Sequence, residues 1–216
     1  MKKQLLLITL LTFCIDIIAQ DLDYHPYKVG DNQILEYTQF SLSYNEQHEQ
    51  ADWVSYELTA EEVAAKLDRC DCFNTDDNVA TGSSSEKDYS STGFDKGHLC
   101  PAADNNISEQ ANKESFLMSN MSPQLPQFNR GIWADLESWV RKQATEYQKL
   151  YVVTGPVFVN NLGRVSGNIF RLRCYLVPNS LLKNNGYQIC HGWRAVFFRS
   201  KPIICLQTYR RESSLA

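Results

Sequence analysis

Outside its first eighteen residues the chain has no long apolar run, which excludes a multi-span membrane protein. It also lacks surplus positive charge. Its 21 Lys and Arg against 25 Asp and Glu leave a net charge of −4, which argues against a general nucleic-acid coat, because polyanions are normally met with excess cations. Histidine is scarce, with four residues at positions 25, 48, 98 and 191. Internal repeats and low-complexity tracts are missing. What remains is 216 residues, 43% of them apolar and 21% charged. That is enough for one catalytic-sized domain with its own core, and it rules out a disordered or fibrous class.

The one apolar run has the form of an address. Met1-Lys2-Lys3 gives a positive start, Leu5 to Ile18 an apolar stretch, and Ala19 a small residue where processing is expected. The run is short for a bilayer span and Asp16 interrupts it. Bulky Phe13 before Cys14 fits lipid attachment poorly. Residues 1–20 therefore read as a cleavable signal, 21–33 as a polar linker, 34–162 as the core, and 163–216 as an atypical basic, cysteine-containing segment. The expected destination is secreted or periplasmic, with no stable membrane association once the signal is gone.

Six cysteines follow the signal: Cys70, Cys72, Cys100, Cys174, Cys190 and Cys205. An even count in an exported chain permits disulfides, with several buried free thiols as the alternative. Cys70 and Cys72 stand too close in sequence to pair easily. Charge is divided along the chain. Residues 21–162 hold 10 Lys/Arg against 23 Asp/Glu, whereas residues 163–216 hold 9 Lys/Arg and a single acid, Glu212. Such asymmetry marks either a basic substrate-facing segment or a tail of different origin.

Periodicity predicts an α+β fold. Ile34 to Tyr44 and Trp53 to Leu58 alternate like strands. Thr59 and Glu62 form a capping-box pattern ahead of a short helix. Residues 74–94 read as an irregular loop and Ser108 to Glu114 as a short helix. Gly131 to Tyr147 is the clearest helix, with Ile132, Leu136, Trp139 and Val140 on its expected buried face. Lys149 to Phe158 reads as a core strand, and Ile169 to Val177 and Ala195 to Arg199 have strand character of their own.

Two segments carry chemical groups. The first, Asp95-Lys96-Gly97-His98-Leu99-Cys100-Pro101-Ala102-Ala103-Asp104, sets one imidazole among carboxylates, and histidine is the side chain best suited to move a proton near neutral pH. The second runs from Ser119-Asn120-Met121-Ser122-Pro123-Gln124 to Phe128-Asn129-Arg130-Gly131-Ile132-Trp133-Ala134-Asp135-Leu136-Glu137. Steps of four place Trp133, Glu137 and Arg141 on one helical stripe, with Asn129 at its entrance. An amide oxygen, a carboxylate and a guanidinium in that order suit a hydrated cation beside a phosphate. A plain surface ion pair between Glu137 and Arg141 is the alternative.

Together these segments resemble the DNA/RNA non-specific endonucleases, the ββα-metal or His-Me finger nucleases, whose signature is Asp-Arg-Gly-His followed by Asn-Arg-Gly-x-x-Trp. The likeness runs from about Trp53 through Phe158 and includes Tyr56-Glu57-Leu58-Thr59 and Val153-Thr154-Gly155-Pro156. It implies a central antiparallel sheet with packed helices and a ββα active-site motif. It further implies His98 as general base and Asn129 as the direct ligand of Mg²⁺, with Mn²⁺ as a substitute. Glu137 would hold one of the ion's waters, Arg141 and Lys96 would face phosphate, and Asn120 and Gln124 would brace the geometry. The substrates would be DNA and RNA, gripped by backbone phosphate with little sequence preference.

Lys96 stands where the family usually has arginine, which keeps the charge but loses a bidentate grip. Cys100 reads as structural. Beyond Gly163 the family's closing strands cannot be followed, so the tail is either a basic strand pair that helps hold nucleic acid or the product of a shifted reading frame. Two other functions compete: a phosphodiesterase acting on another phosphate ester, and a binding module in which Cys70, Cys72, His98 and Cys100 hold a structural zinc.

Overall fold

The computed structural model describes residues 25–26, 30–156 and 158, and the backbone alone of 164–166, 169–170 and 203–207. The signal at 1–20, part of the linker and nearly all of the basic tail lie outside the described residues. So do the strand read at Ala195 to Arg199 and, beyond Phe170, the one read at Ile169 to Val177.

The apolar alternation between Ile34 and Tyr44 builds two strands instead of one. β1 (Gln33–Glu36) and β2 (Phe40–Asn45) pair antiparallel, and the Tyr37 N–H donates to the Phe40 carbonyl at 2.8 Å to close the turn between them. β3 (Gln50–Thr59) follows, buried along most of its length between β2 and a later neighbour. Its last residue caps α1 (Ala60–Ala64) with the expected capping box. The Thr59 hydroxyl accepts from the Glu62 N–H at 3.2 Å, and the Glu62 carboxylate accepts from the Thr59 N–H at 2.6 Å.

An irregular stretch with one 3₁₀ turn, Glu86–Tyr89, leads to β4 (Asp95–His98). A 3₁₀ turn at Ala102–Asp104 and the Ser108-capped α2 (Glu109–Ser115) separate β4 from its partner β5 (Met121–Gln124). β4 and β5 form a ribbon of their own, with Asp95 opposite Gln124 and His98 opposite Met121. Pro123 can sit in β5 because a two-stranded ribbon consists only of edges.

The long helix begins later than its apolar periodicity predicts. α3 spans Ala134–Tyr147, and a π-type turn over Phe128–Trp133 precedes it, broken at Gly131 with φ −108° and ψ −111°. That break shifts the phase of the buried face. Trp133, Leu136, Val140 and Ala144 are buried, whereas Ile132 and Trp139 are only partly so. This face packs with Leu42, Val54, Tyr56, Leu58, Leu150 and Val152 into the main core.

β6 (Lys149–Gly155) completes the sheet antiparallel to β3, with Tyr56 opposite Val152. β7 (Arg164–Ser166) and β8 (Ile169–Phe170) form a small pair, and β9 (Ile203–Gln207) adds to the edge of β6 in parallel. The sheet order is β1-β2-β3-β6-β9, antiparallel except for that last pair. The fold is α+β, with a ββα unit made by the ribbon and α3.

Candidate active site

His98 closes β4 and is 8% exposed. Its ring lies 5.0 Å edge-on from Phe116 and 5.8 Å from Phe73. Each phenyl ring carries a cation on its face: Arg69 stands 4.6 Å over Phe116, and the Lys96 ammonium stands 3.7 Å over Phe73. Burial, then the positive charge of Arg69, then that of Lys96 push the imidazole from its ordinary 6.5 down to about 3, against an opposing pull from Asp71. His98 is therefore neutral near pH 7. Its Nε2 is buried without a hydrogen-bond partner, a costly state that native proteins keep mainly where the atom has a use.

The chain around His98 is held by amides. Asn120 has no exposed surface. Its Oδ1 accepts from the Cys100 N–H at 2.9 Å, and its Nδ2 donates to the carbonyls of Cys100 at 2.9 Å and Ser115 at 2.8 Å. The segment just after His98 is thus clamped at both backbone groups of one residue. Gly97 lets the Gln124 side chain lie across it, since a Cβ there would overlap that side chain and push it aside. Gln124 Oε1, like His98 Nε2, is buried and unpartnered.

Asn129 lies in the π-type turn, and its Nδ2 donates to Asp95 Oδ2 at 3.0 Å. Arg130 grips the same carboxylate with two bonds of 2.8 and 2.7 Å. The Arg130 guanidinium, helped by the Asn129 amide, holds Asp95 below the usual carboxylate range. Asn129 is thereby tied to the head of the strand that ends in His98. Its nitrogen is committed, and its carbonyl oxygen points to the opposite corner of the amide.

Glu137 and Arg141 follow on α3. Burial and the negative charge of Asp104 push Glu137 up to about 7, opposed by Arg141, a hydrogen bond from the Trp133 side chain, and Arg69. Arg69 thus acts on both His98 and Glu137. Arg141 is ion-paired with Asp104 at 3.0 Å, not with Glu137 as the surface-pair alternative supposes, and it also donates to Ser138 at 3.2 Å. Lys96, expected to face phosphate, is ion-paired with Glu86 while it covers Phe73.

One member of the cluster, Arg69, has no mark in the sequence, and the role of another, Asp104, has none. Arg69 sits in a cysteine-containing loop with no periodicity, where it is ion-paired with Asp71 and its guanidinium stands over Phe116. Asp104 is one of the carboxylates that the sequence places around His98, but its burial and its pairing with Tyr56 and Arg141 leave no local pattern.

The cysteine readings also change. Cys70 and Cys72 are joined as a disulfide with Cα atoms 5.1 Å apart, made feasible by the left-handed backbone of Asp71 at φ 46°. Neither sulfur is then a thiolate for zinc. Cys100 is buried, receives a 3.1 Å hydrogen bond from Asn105, and has its thiol pushed up by burial and by Asp104. That state suits packing, not attack.

Among the described residues no group of three or more His, Cys, Asp or Glu gathers around one point. The oxygen donors that the two segments offer are the Asn129 amide oxygen and the half-buried Glu137 carboxylate. Oxygen donors in small number fit a hard divalent cation that keeps most of its own water, and do not fit zinc. A cation there would also relieve the crowding of Glu137 against Asp104.

A two-stranded ribbon whose first strand ends in a neutral histidine, followed by a turn that brings an amide and a helix that brings a carboxylate, is the architecture of a ββα nuclease. The chain belongs to the DNA/RNA non-specific endonuclease family, whose model matches residues 18–195 and so continues past Gly163. It is 38% identical over 122 residues to mitochondrial endonuclease G of Homo sapiens, covering 56% of this chain and 41% of that protein. A nuclease of Syncephalastrum racemosum is 39% identical over 140 residues, covering 62% and 43%. A nuclease of Nostoc sp. is 35% identical over 128 residues, covering 58% and 46%. The chain spans less than half the length of each of these three relatives. Among solved structures, the complex of EndoG with EndoGI, which describes EndoG inhibition, matches with a TM-score of 0.58 and 30% identity, over 69% of this chain and 62% of that one.

Proposed function

We propose that the protein is an exported, divalent-metal-dependent endonuclease that hydrolyses the phosphodiester bonds of DNA and RNA with little sequence preference. The observation that carries this reading is the neutral, buried His98, whose Nε2 has no partner, on a strand whose first residue holds Asn129. An imidazole kept unprotonated can accept a proton from a water attacking phosphorus, help typically worth ~10²–10⁴-fold.

Asn129, with Glu137 acting through water, would hold Mg²⁺ or Mn²⁺. When bound, the ion would polarise a phosphoryl oxygen and stabilise the departing sugar oxygen. Arg141 and Arg69 supply positive charge for the phosphate. Asn120 and Gln124 hold the His98 ribbon in place. None of these groups reads base edges, which favours weak sequence preference, and phosphate contacts make binding salt-sensitive. The leader-like start of the chain and the Cys70–Cys72 disulfide support an oxidising destination outside the cytoplasm.

The test is digestion of plasmid DNA and of a long RNA by the purified protein, with Mg²⁺, with chelator, and after His98→Ala or Asn129→Ala. Chelator should abolish cleavage and His98→Ala should cut it by orders of magnitude. Full activity in His98→Ala would remove the assigned base. Cleavage confined to small phosphate diesters would favour the phosphodiesterase reading.

A further inference from the structure

Asp104 has no task in the chemistry above, yet its side chain has no exposed surface. A carboxylate shut away in this manner is costly unless both oxygens are occupied. Here they are. Oδ1 accepts from Arg141 Nη1 at 3.0 Å, and Oδ2 accepts from the Tyr56 hydroxyl at 3.0 Å. Tyr56 is fixed in the central strand β3 and is 2% exposed. The Asp104 backbone belongs to the 3₁₀ turn that leaves the His98 segment, with its N–H bonded to Pro101 O at 3.0 Å. One side chain therefore joins the sheet, the exit of the His98 strand and α3.

The arrangement resolves a competition. Glu137 and Arg141 stand four residues apart on α3, the spacing at which a carboxylate and a guanidinium close on each other. If they did, the Glu137 carboxylate and the donors of Arg141 would be taken up by each other. Asp104 accepts from Nη1 and Ser138 from Nη2 of the guanidinium, which carries further N–H groups beyond those two. We propose that Asp104, seated by Tyr56, is a positioning residue that holds Arg141 toward phosphate and keeps it off Glu137, so that Glu137 stays open to a divalent cation. This inference rests on the nuclease reading of the site.

The experiment compares wild type, Asp104→Asn, Tyr56→Phe, Arg141→Gln and Asp104→Asn/Arg141→Gln by steady-state cleavage, Mn²⁺ binding by calorimetry, and thermal melting. Asn at 104 keeps an acceptor for Tyr56 but loses the charge that competes for Arg141. Asp104→Asn should lower kcat on the order of 10²-fold, the scale of a misplaced catalytic contact. It should also weaken Mn²⁺ binding roughly tenfold, the effect of letting Arg141 fall back on Glu137. Adding Arg141→Gln should restore Mn²⁺ binding and cost no further kcat beyond Arg141→Gln alone, the non-additivity of groups acting as a unit. A purely structural Asp104 would give multiplicative losses and no restored Mn²⁺ binding, and that result overturns the inference. Tyr56→Phe removes only the seat and should give a smaller fall of the same kind. If Asp104→Asn does not fold, unchanged kcat and Mn²⁺ affinity in Tyr56→Phe overturn the inference instead. A wild type that binds Mn²⁺ but cleaves no nucleic acid overturns the nuclease reading, while the Mn²⁺ arm still decides the role of Asp104.

Discussion

The five-stranded sheet and the β4–β5 ribbon bury different things. Most side chains that the sheet shuts away in the main core are apolar, Leu42, Val54, Leu58 and Leu150 among them, although its strands also bury Ser43, Gln50, Ser55 and Thr154. Inside the ribbon the buried residues include His98, Ser122 and Gln124, with Asn120 just before β5, and two of their polar atoms have no partner. The first kind of burial stabilises the chain and is indifferent to chemistry. The second spends stability on holding reactive atoms dry and aimed. Substitutions in the two regions should therefore move different observables.

The largest separation is expected between His98→Ala and Leu58→Ala. His98→Ala should lower cleavage by ~10²–10⁴-fold with little change in melting temperature, because it also removes an unsatisfied nitrogen. Leu58→Ala should cost about 2–5 kcal/mol of stability and leave the specific activity of the folded fraction intact. Cleavage assays beside denaturant unfolding would check both, and a Leu58→Ala protein that is stable but inactive would erase the distinction.

Asn120→Ala probes the seam between the regions. It deletes three hydrogen bonds around the residue pair after His98 and leaves the Cys100 backbone groups unpaired in a buried place. A loss of about 1–3 kcal/mol per stranded group should come with a fall in turnover, so this variant alone should move both observables.

A smaller effect is read in pH. Glu137, pushed up to about 7 in the folded protein from an ordinary 4.5, binds its proton more tightly when folded. Its contribution to stability is present below pH 4.5 and fades as the pH rises through 7. Cation affinity should run the other way, rising until Glu137 is ionised and levelling above that point. Calorimetric Mg²⁺ titrations from pH 5.5 to 8.5 should show this rise, and Glu137→Gln should flatten it. His98 has the opposite displacement, down to about 3, so its contribution to stability is lost only as the pH falls below 6.5. The expected rise in cation affinity near pH 7 therefore belongs to Glu137 and not to the histidine. Least of all, Thr59→Ala should cost ~1 kcal/mol through the lost cap of α1 and leave cleavage untouched.

Much of the sheet was legible because alternating apolar residues in β2, β3 and β6 have one explanation, a pleated surface with a buried side. The capping box at Thr59 and Glu62 was readable for a similar reason, since both bonds are local. The break of Ile34 to Tyr44 into two strands was not, because a tight turn can pass through Thr38 and Gln39 without the usual glycine. Parallel pairing of β9 with β6 depends on a distant segment and leaves no local pattern.

At the site, residue types in order single out His98, Asn129, Glu137 and Arg141 as candidates. Who binds whom was not readable. Lys96 could not be seen to belong to Glu86, nor Arg141 to Asp104, because both carboxylates reach their partners through the fold. The Cys70–Cys72 bond depends on one left-handed residue, Asp71, which no spacing rule foretells.

The wide turn at Phe128–Trp133 makes the site sensitive to the length of the chain as well as to its letters. In an ordinary α-helix each residue advances about 100° around the axis, so removing one residue from that turn would swing Asn129 by roughly a quarter revolution relative to Glu137 and Arg141. All the donor groups would survive in the gene, yet they would look in different directions. A one-codon deletion there would be a sharper lesion than many missense changes.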